Sequence, residues 1–208
     1  MTAPTPLQTV GVVLAGGRSA RMGTSKAALE IGGGPLLRRV VERLRRALPE
    51  VIVVGPPELA PLVPGVRLVP DLRPGLGPLS GLEAALAAIA SPHAFVVACD
   101  MPFVSPALVR HLTRLAERSP DADVTVLRTA RGTEYLHAVY MATCLPLIRE
   151  QLDAGERSAG ALLARLRVRE VGEAEAQPFD PPGLSAFNAN TPEEWSRALA
   201  LAREEPAP

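Results

Sequence analysis

Lysine is almost absent from this chain: of 22 basic residues, 21 are arginines and one, Lys26, is a lysine. Asp and Glu also number 22, so the formal net charge is zero. That balance argues against a nucleic-acid partner held by a broad positive field, but leaves room for a local cationic pocket. Aromatic residues make up only 3%, so the core must be built from Leu, Val and Ala. No run approaches the roughly 18 apolar residues that span a bilayer, and a membrane role is not expected. The start, MTAPTPLQT, lacks the charged and apolar regions of a signal peptide, and residues 1–8 read as a disordered lead. Residues 204–208 read as a proline-ending tail. Two cysteines, Cys99 and Cys144, fall outside any CxxC spacing; they are expected as reduced thiols in a cytoplasmic protein rather than as a disulfide framework or zinc site. No GxSxG nucleophile motif occurs either. With 208 residues and no internal period of about 20 to 50 residues, one domain over residues 1–208 is the simplest expectation.

What is present is concentrated near the start. Val10 to Lys26 reads VGVVLAGGRSARMGTSK. The β-branched run suits a strand buried on both faces of a parallel sheet. Gly16 and Gly17 follow, and without Cβ atoms they let backbone N–H groups close on an anion. Arg18, Arg21 and Lys26 then add positive charge. This is a phosphate loop in outline, but not a Walker A loop, which needs four residues between its glycines; Gly17 and Gly23 are separated by five, and Thr24 follows. The dinucleotide fingerprint GxGxxG is missing too. The single lysine falls inside this loop. A compact ammonium fits between phosphate oxygens where a planar guanidinium does not, so its retention in an arginine-preferring chain points to a steric requirement.

Beyond the loop, Gly32 to Gly34 are expected to forbid a regular element before Pro35 opens a helix. Its arginines, Arg38, Arg39, Arg43, Arg45 and Arg46, read as a solvated face. Strands are expected at Val51–Val54, Val66–Val69, Phe95–Cys99, Ala122–Leu127 and Tyr135–Met141, with helices over about 79–90, 105–118 and 145–152. Arg128–Glu134 and Gly172–Pro182 read as loops. Asp100 follows the most apolar of the later strands. A carboxylate there is costly without a partner, and ligands of open α/β sheets bind at that edge. Mg²⁺ is a suitable partner, because it takes one or two carboxylates together with phosphate oxygens and water. Thr191-Pro192-Glu193-Glu194 is a strong helix start.

The motif LAGGxxxRMGxxK resembles the signature loop of nucleotidyltransferases that activate sugars and cofactors with nucleoside triphosphates, and LAGG is similar to the molybdenum cofactor guanylyltransferases. GPLSGL (residues 77–82), Asp71, the Asp100 strand end and FNANTPEE (residues 187–194) follow in that family's order. The resemblance implies a three-layer α/β/α architecture with a mainly parallel, Rossmann-like sheet of the nucleotide-diphospho-sugar transferase type. It implies transfer of GMP from GTP to the phosphate of molybdopterin, with Mg²⁺, and transient contact with molybdoenzymes or their chaperones. Arg21, Lys26 and Asp100 then take catalytic roles, Asp100 also as metal ligand. GTP falls to Leu14, Ala15, Gly16, Gly17, Lys26, Asp71, Gly77, Pro78, Leu79 and Asp100. His137, Arg157, Asn188 and Asn190 fall on the acceptor side. Two departures stand out: Leu136 occupies the position of a family proline, and the C-terminal signature lacks its first spacer. His137 also suits a structural role on a half-buried strand, Arg157 an exposed turn, and the two asparagines a turn or cap. A cytidylyl or sugar-phosphate transfer on the same fold, or a non-catalytic nucleotide binder, remains open. With strand order 3-2-1-4 at the centre, Leu14 and Asp100 would face one crevice.

Overall fold

The computed structural model describes residues 8–16 and 26–205. Gly17, Arg18 and Arg21, most of the N-terminal lead, and Pro206 to Pro208 therefore lie outside the described residues. The elements in chain order are β1 (Val10–Leu14), β2 (Glu30–Ile31), β3 (Gly34–Pro35), α1 (Leu36–Arg45), β4 (Glu50–Val54), β5 (Arg67–Val69), α2 (Pro78–Ala88), β6 (His93–Ala98), α3 (Pro106–Glu117), β7 (Val124–Thr129), β8 (Gly132–Met141), α4 (Leu145–Asp153), α5 (Ala159–Leu163), β9 (Val168–Gly172), α6 (Glu173–Ala176) and α7 (Pro192–Glu204).

Seven strands form one sheet in the order β5-β4-β1-β6-β8-β7-β9. All five residues of β1 are buried, as a central strand flanked by two parallel neighbours requires. Its last residue, Leu14, pairs with Val54 on one side and Ala98 on the other. The first four strands of that order are the expected 3-2-1-4 arrangement. Only β8 runs antiparallel, between β6 and β7, and β9 closes the far edge parallel to β7.

Two apolar clusters separate the layers. One joins the α1, α3, α6 and α7 faces to one side of the sheet; the other joins α2, α4 and α5 to the opposite side. The helix after β1 and the helix before β6 therefore lie on opposite faces, which opens a crevice at the carboxyl ends of β1 and β6. Two glycines shape that edge. Gly77 holds φ at 89° just before α2, a conformation that disfavours any side chain. Gly81 lets α2 approach β1 closely: a Cβ there would lie 3.3 Å from Leu14 Cδ2.

Several expectations need correction. Gly32 to Gly34 do not abolish regular structure; β2 and β3 form a small antiparallel pair through them. Residues 128–134 are a hairpin rather than a loop, with β7 and β8 meeting at Ala130-Arg131. Residues 173–176 are helical, and β9 was not anticipated at all: it is an edge strand whose single buried residue, Val171, gives almost no alternation. The arginines of α1 do not form a merely solvated face. Arg39 Nε donates to Pro102 O at 3.0 Å and Arg43 Nε to Val104 O at 2.7 Å, and both pair with Glu205 from the chain end. They strap α1 to the segment that follows Asp100.

Candidate active site

Lys26 begins a short 3₁₀ turn (Lys26–Ala28) and points back across the end of β1. Its Nζ donates to Asn190 Oδ1 at 2.7 Å and lies 3.4 Å from Asp100 Oδ2. Lys26 and Asp100 are 16% and 21% exposed, so both are sheltered yet reachable. Asp100 sits two residues past β6, beside Leu14, whose carbonyl accepts the Cys99 N–H at 3.0 Å. Three residues separated by 74 and 164 positions from Lys26 outward thus meet at one crevice.

Asn190 is placed by the helix that follows it. The Glu194 carboxylate accepts from the N–H of Asn190 at 2.7 Å and of Thr191 at 2.9 Å, and the Thr191 hydroxyl accepts from Glu194 N. This is a complete capping box. The N–H bonds from Thr191 and Asn190, with Lys26 and Arg131 nearby, hold the Glu194 carboxyl below the usual range. The extended segment just before Asn190 brings Ala189 under the site, where its N–H donates to Asp100 O at 3.0 Å.

Two strands away, past β4, the chain leaves β5 and reaches Asp71. A Cβ added to Gly16 would lie 3.9 Å from Asp71 Oδ2, so this second carboxylate overlooks the turn after β1. Its other oxygen, Oδ1, accepts from Arg73 N at 3.0 Å and from the Ser80 hydroxyl. Leu14 and Leu79 are buried, and Leu14's side chain packs beneath Gly81. Both side chains are therefore turned into the core, and Ala15 N is engaged by Val54 O at 2.8 Å. Gly77 and Pro78 are exposed at the start of α2.

The acceptor-side residues divide. Asn190 reaches the crevice. Asn188 is half-buried and its Nδ2 donates to Ala186 O at 3.3 Å. Arg157 is exposed in the α4–α5 turn, and among the described residues no hydrogen bond joins it to the crevice. His137 lines no site: it is 0% exposed, packs edge-on against Phe95 with ring centroids 5.2 Å apart, and shares a 2.7 Å hydrogen bond with Ser185 Oγ. Burial pushes its pKa down to about 4, so it is a neutral core residue, and its expected place as an acceptor wall is withdrawn. The reason is the register of β8, where His137 pairs with Val97 of the central sheet. Sequence reasoning missed Ser80, Arg73 and Glu83, which hold Asp71 in place; only the polar residues within an apolar helix start hinted at them.

Among the described residues, one polar atom in the crevice has no partner. Asp100 Oδ1 is buried and accepts no hydrogen bond from any of them, and leaving a charged oxygen in that state is costly. Cys99, next to it, is no nucleophile: burial, with the adjacent Asp100 charge, pushes its thiol up to about 12.

The chain matches the family model described as "MobA-like NTP transferase domain" over residues 11–171. It is 41% identical over 196 residues to a Pelotomaculum thermopropionicum protein named "Probable molybdenum cofactor guanylyltransferase", covering 94% of both chains. A Desulfosudis oleivorans protein named "Molybdenum cofactor guanylyltransferase" is 33% identical, with 91% of this chain and 94% of that one covered. Among solved structures, molybdopterin-guanine dinucleotide biosynthesis protein A from Archaeoglobus fulgidus superposes with a TM-score of 0.84 at 27% identity, covering 95% of this chain and all of that one. A three-layer fold, a crevice at the β1/β6 switch point and similarity across almost the full length agree: this chain belongs to the MobA-like NTP transferase family.

Proposed function

We propose that the protein transfers GMP from GTP to the phosphate of molybdopterin and releases pyrophosphate. The observation that carries this reading is the meeting of Lys26, Asp100 and Asn190 at the crevice beside the end of β1; the names of its relatives supply the substrates. An oxygen of the acceptor phosphate attacks the α-phosphorus in line. The new bond joins that oxygen to the α-phosphorus, the bond from the α-phosphorus to the bridging oxygen breaks, and pyrophosphate leaves with the electron pair. The acceptor is already ionised, so no protein base or nucleophile is required. Lys26 offsets the charge that develops on the phosphate oxygens, a role for which a fixed cation in a sheltered crevice is well suited. Arg21 takes a similar part, and Gly16 and Gly17 would offer backbone donors to the phosphates.

Asp100 fits a divalent cation. Its Oδ1 is a buried anionic oxygen without a partner among the described residues, and a hard cation is what such an atom accepts. Among the described residues no group of three or more His, Cys, Asp or Glu is placed to hold a metal, which suits Mg²⁺, since that ion completes its shell with phosphate oxygens and water. Bound there, Mg²⁺ would neutralise triphosphate charge and assist departure of pyrophosphate. With the phosphates between β1 and β6, the nucleoside extends toward β4 and β5, where Asp71, Gly77, Pro78 and the Leu79 main chain receive it. Asn190, Asn188 and Arg157 stay on the acceptor side. The whole chain acts as one nucleotidyltransferase domain in the cytoplasm, where its two free thiols stay reduced, and its product would pass to molybdoenzymes or their chaperones.

The test is pyrophosphate release by the purified protein with molybdopterin, Mg²⁺ and GTP, CTP or ATP in turn. Acceptor-dependent release with GTP well above the other two is the expected result. Preference for CTP, or release that needs a sugar phosphate instead, would contradict the reading.

A further inference from the structure

Asp71 is held with unusual completeness for a residue in a surface loop. Oδ1 receives the Ser80 hydroxyl and the Arg73 N–H, while Oδ2 alone turns toward Gly16. Ser80 is 0% exposed, so its hydroxyl has no water to exchange with; it also lies 2.9 Å from Arg73 O and 3.2 Å from Arg73 N. A single serine therefore ties both ends of the Asp71–Arg73 turn to the first turn of α2. The turn is braced again from below. Glu83, one helical turn after Ser80, is buried, and its carboxylate is flanked by Arg73 Nε at 2.9 Å and Arg149 Nε at 3.2 Å. Arg73 Nη2 also donates to Glu83 Oε1 at 3.4 Å, while the closer Nε approach to Oε2 lies off the hydrogen-bond direction, that oxygen accepting no well-directed bond among the described residues. Arg73 Nη1 also reaches Asp153 of α4 at 2.6 Å. A buried carboxylate with two arginines is an expensive arrangement whose geometry must be kept, and nothing in the transfer chemistry uses it directly.

We infer that Ser80 is a positioning residue for nucleotide recognition: it immobilises Asp71 so that one carboxylate oxygen faces the nucleoside, with Arg73 and Glu83 bracing the same turn. The inference rests on the placement of the nucleoside over Asp71 proposed above. Its chemical consequence is selectivity. Guanine carries two adjacent donors, N1–H and the 2-amino group, whereas adenine presents the bare acceptor N1 at the matching position. A carboxylate fixed in one orientation favours the first and repels the second. A carboxylate free to rotate loses much of that distinction, because preorganisation and not proximity is what Ser80 adds.

The experiment is a double-mutant cycle of Ser80→Ala and Asp71→Asn, read as KM and kcat for GTP and as the ratio of kcat/KM for GTP to that for ATP. Ser80→Ala is expected to raise the GTP KM about tenfold, with kcat changed little and the GTP/ATP ratio lowered. In the Asp71→Asn background the same change should add almost nothing, since a residue that acts through another has no effect once that other is altered. A merely structural serine gives a different pattern: GTP and ATP affected equally, and the effect retained in the Asp71→Asn background. Either of those results, or an unchanged KM in Ser80→Ala, overturns the inference while leaving the nucleotide site intact. If Asp71→Asn itself kept the wild-type KM and ratio, the placement of the nucleoside would fail and the inference with it. Glu83→Gln should move KM in the same direction by a smaller factor, because it leaves the Ser80 hydroxyl in place.

Discussion

Asp71 and Asp100 stand at two ends of one sheet edge, three strands apart, and the structure treats them in opposite ways. Asp71 is clamped: Oδ1 is filled by Ser80 and Arg73, and one oxygen is left to face outward. Asp100 is held loosely by a lysine at 3.4 Å and keeps a buried oxygen with no partner among the described residues. The contrast supports the division of labour proposed for this edge. A residue that reads the shape of a ligand needs a fixed direction, whereas one that receives a cation and several phosphates needs unspent bonding capacity. Lys26 suits the second region for the same reason, since its ammonium can exchange Asn190 and Asp100 for phosphate oxygens without rebuilding the crevice.

That division is broken most severely at the Asp100 end. Asp100→Asn keeps the size of the side chain and removes its charge, and kcat should fall by about a thousandfold, as expected for loss of an electrostatic anchor in the transition state. A loss confined to KM would place Asp100 in binding alone and erase the contrast. Asp71→Asn should give the complementary result: GTP KM raised about tenfold, kcat little altered and GTP selectivity reduced, measured by steady-state kinetics with GTP and ATP.

The smallest effect concerns His137, which is buried on β8 beyond β6 and belongs to neither region. Its pKa is near 4 in the fold and about 6.5 in an unfolded chain. Between those values the unfolded state takes up a proton that the native state refuses. The stabilisation is therefore complete above about pH 6.5 and is lost as pH falls toward 4, by roughly 3 kcal/mol in all. Urea unfolding followed between pH 7 and 4 should show this decline, and His137→Gln should flatten it. An unchanged slope in that variant would mean that His137 is not the neutral core residue described here.

Much of this arrangement was legible in the sequence, and what was not has a physical cause. The buried run of β1 announces a central strand, and the lone lysine singles out the residue that meets Asp100. Thr191 and Glu194 announce a cap, and the cap is what delivers Asn190. Local patterns carry these features, because each depends on neighbours a few residues away. Edge strand β9 escaped because an edge buries little: only Val171 is shielded. His137 was misplaced because alternation tells which residues share a face, not how deep that face lies in the sheet. The Asp71 clamp was invisible for another reason. Glu83 finds Arg149 across 66 residues, and no spacing rule links an acid in an alanine-rich helix to an arginine so far along the chain. The arginines of α1 misled in the same way, since their partner Glu205 lies more than 160 positions on.

The most direct test of the central claim is titration calorimetry of GTP into the wild-type protein and into Asp100→Ala, each with and without Mg²⁺. If the crevice between β1 and β6 holds the triphosphate and Asp100 shares its cation, Mg²⁺ should tighten GTP binding to the wild type by at least about tenfold, with no such gain in Asp100→Ala. Equal metal dependence in the two proteins would contradict the claim and remove Asp100 from the metal site.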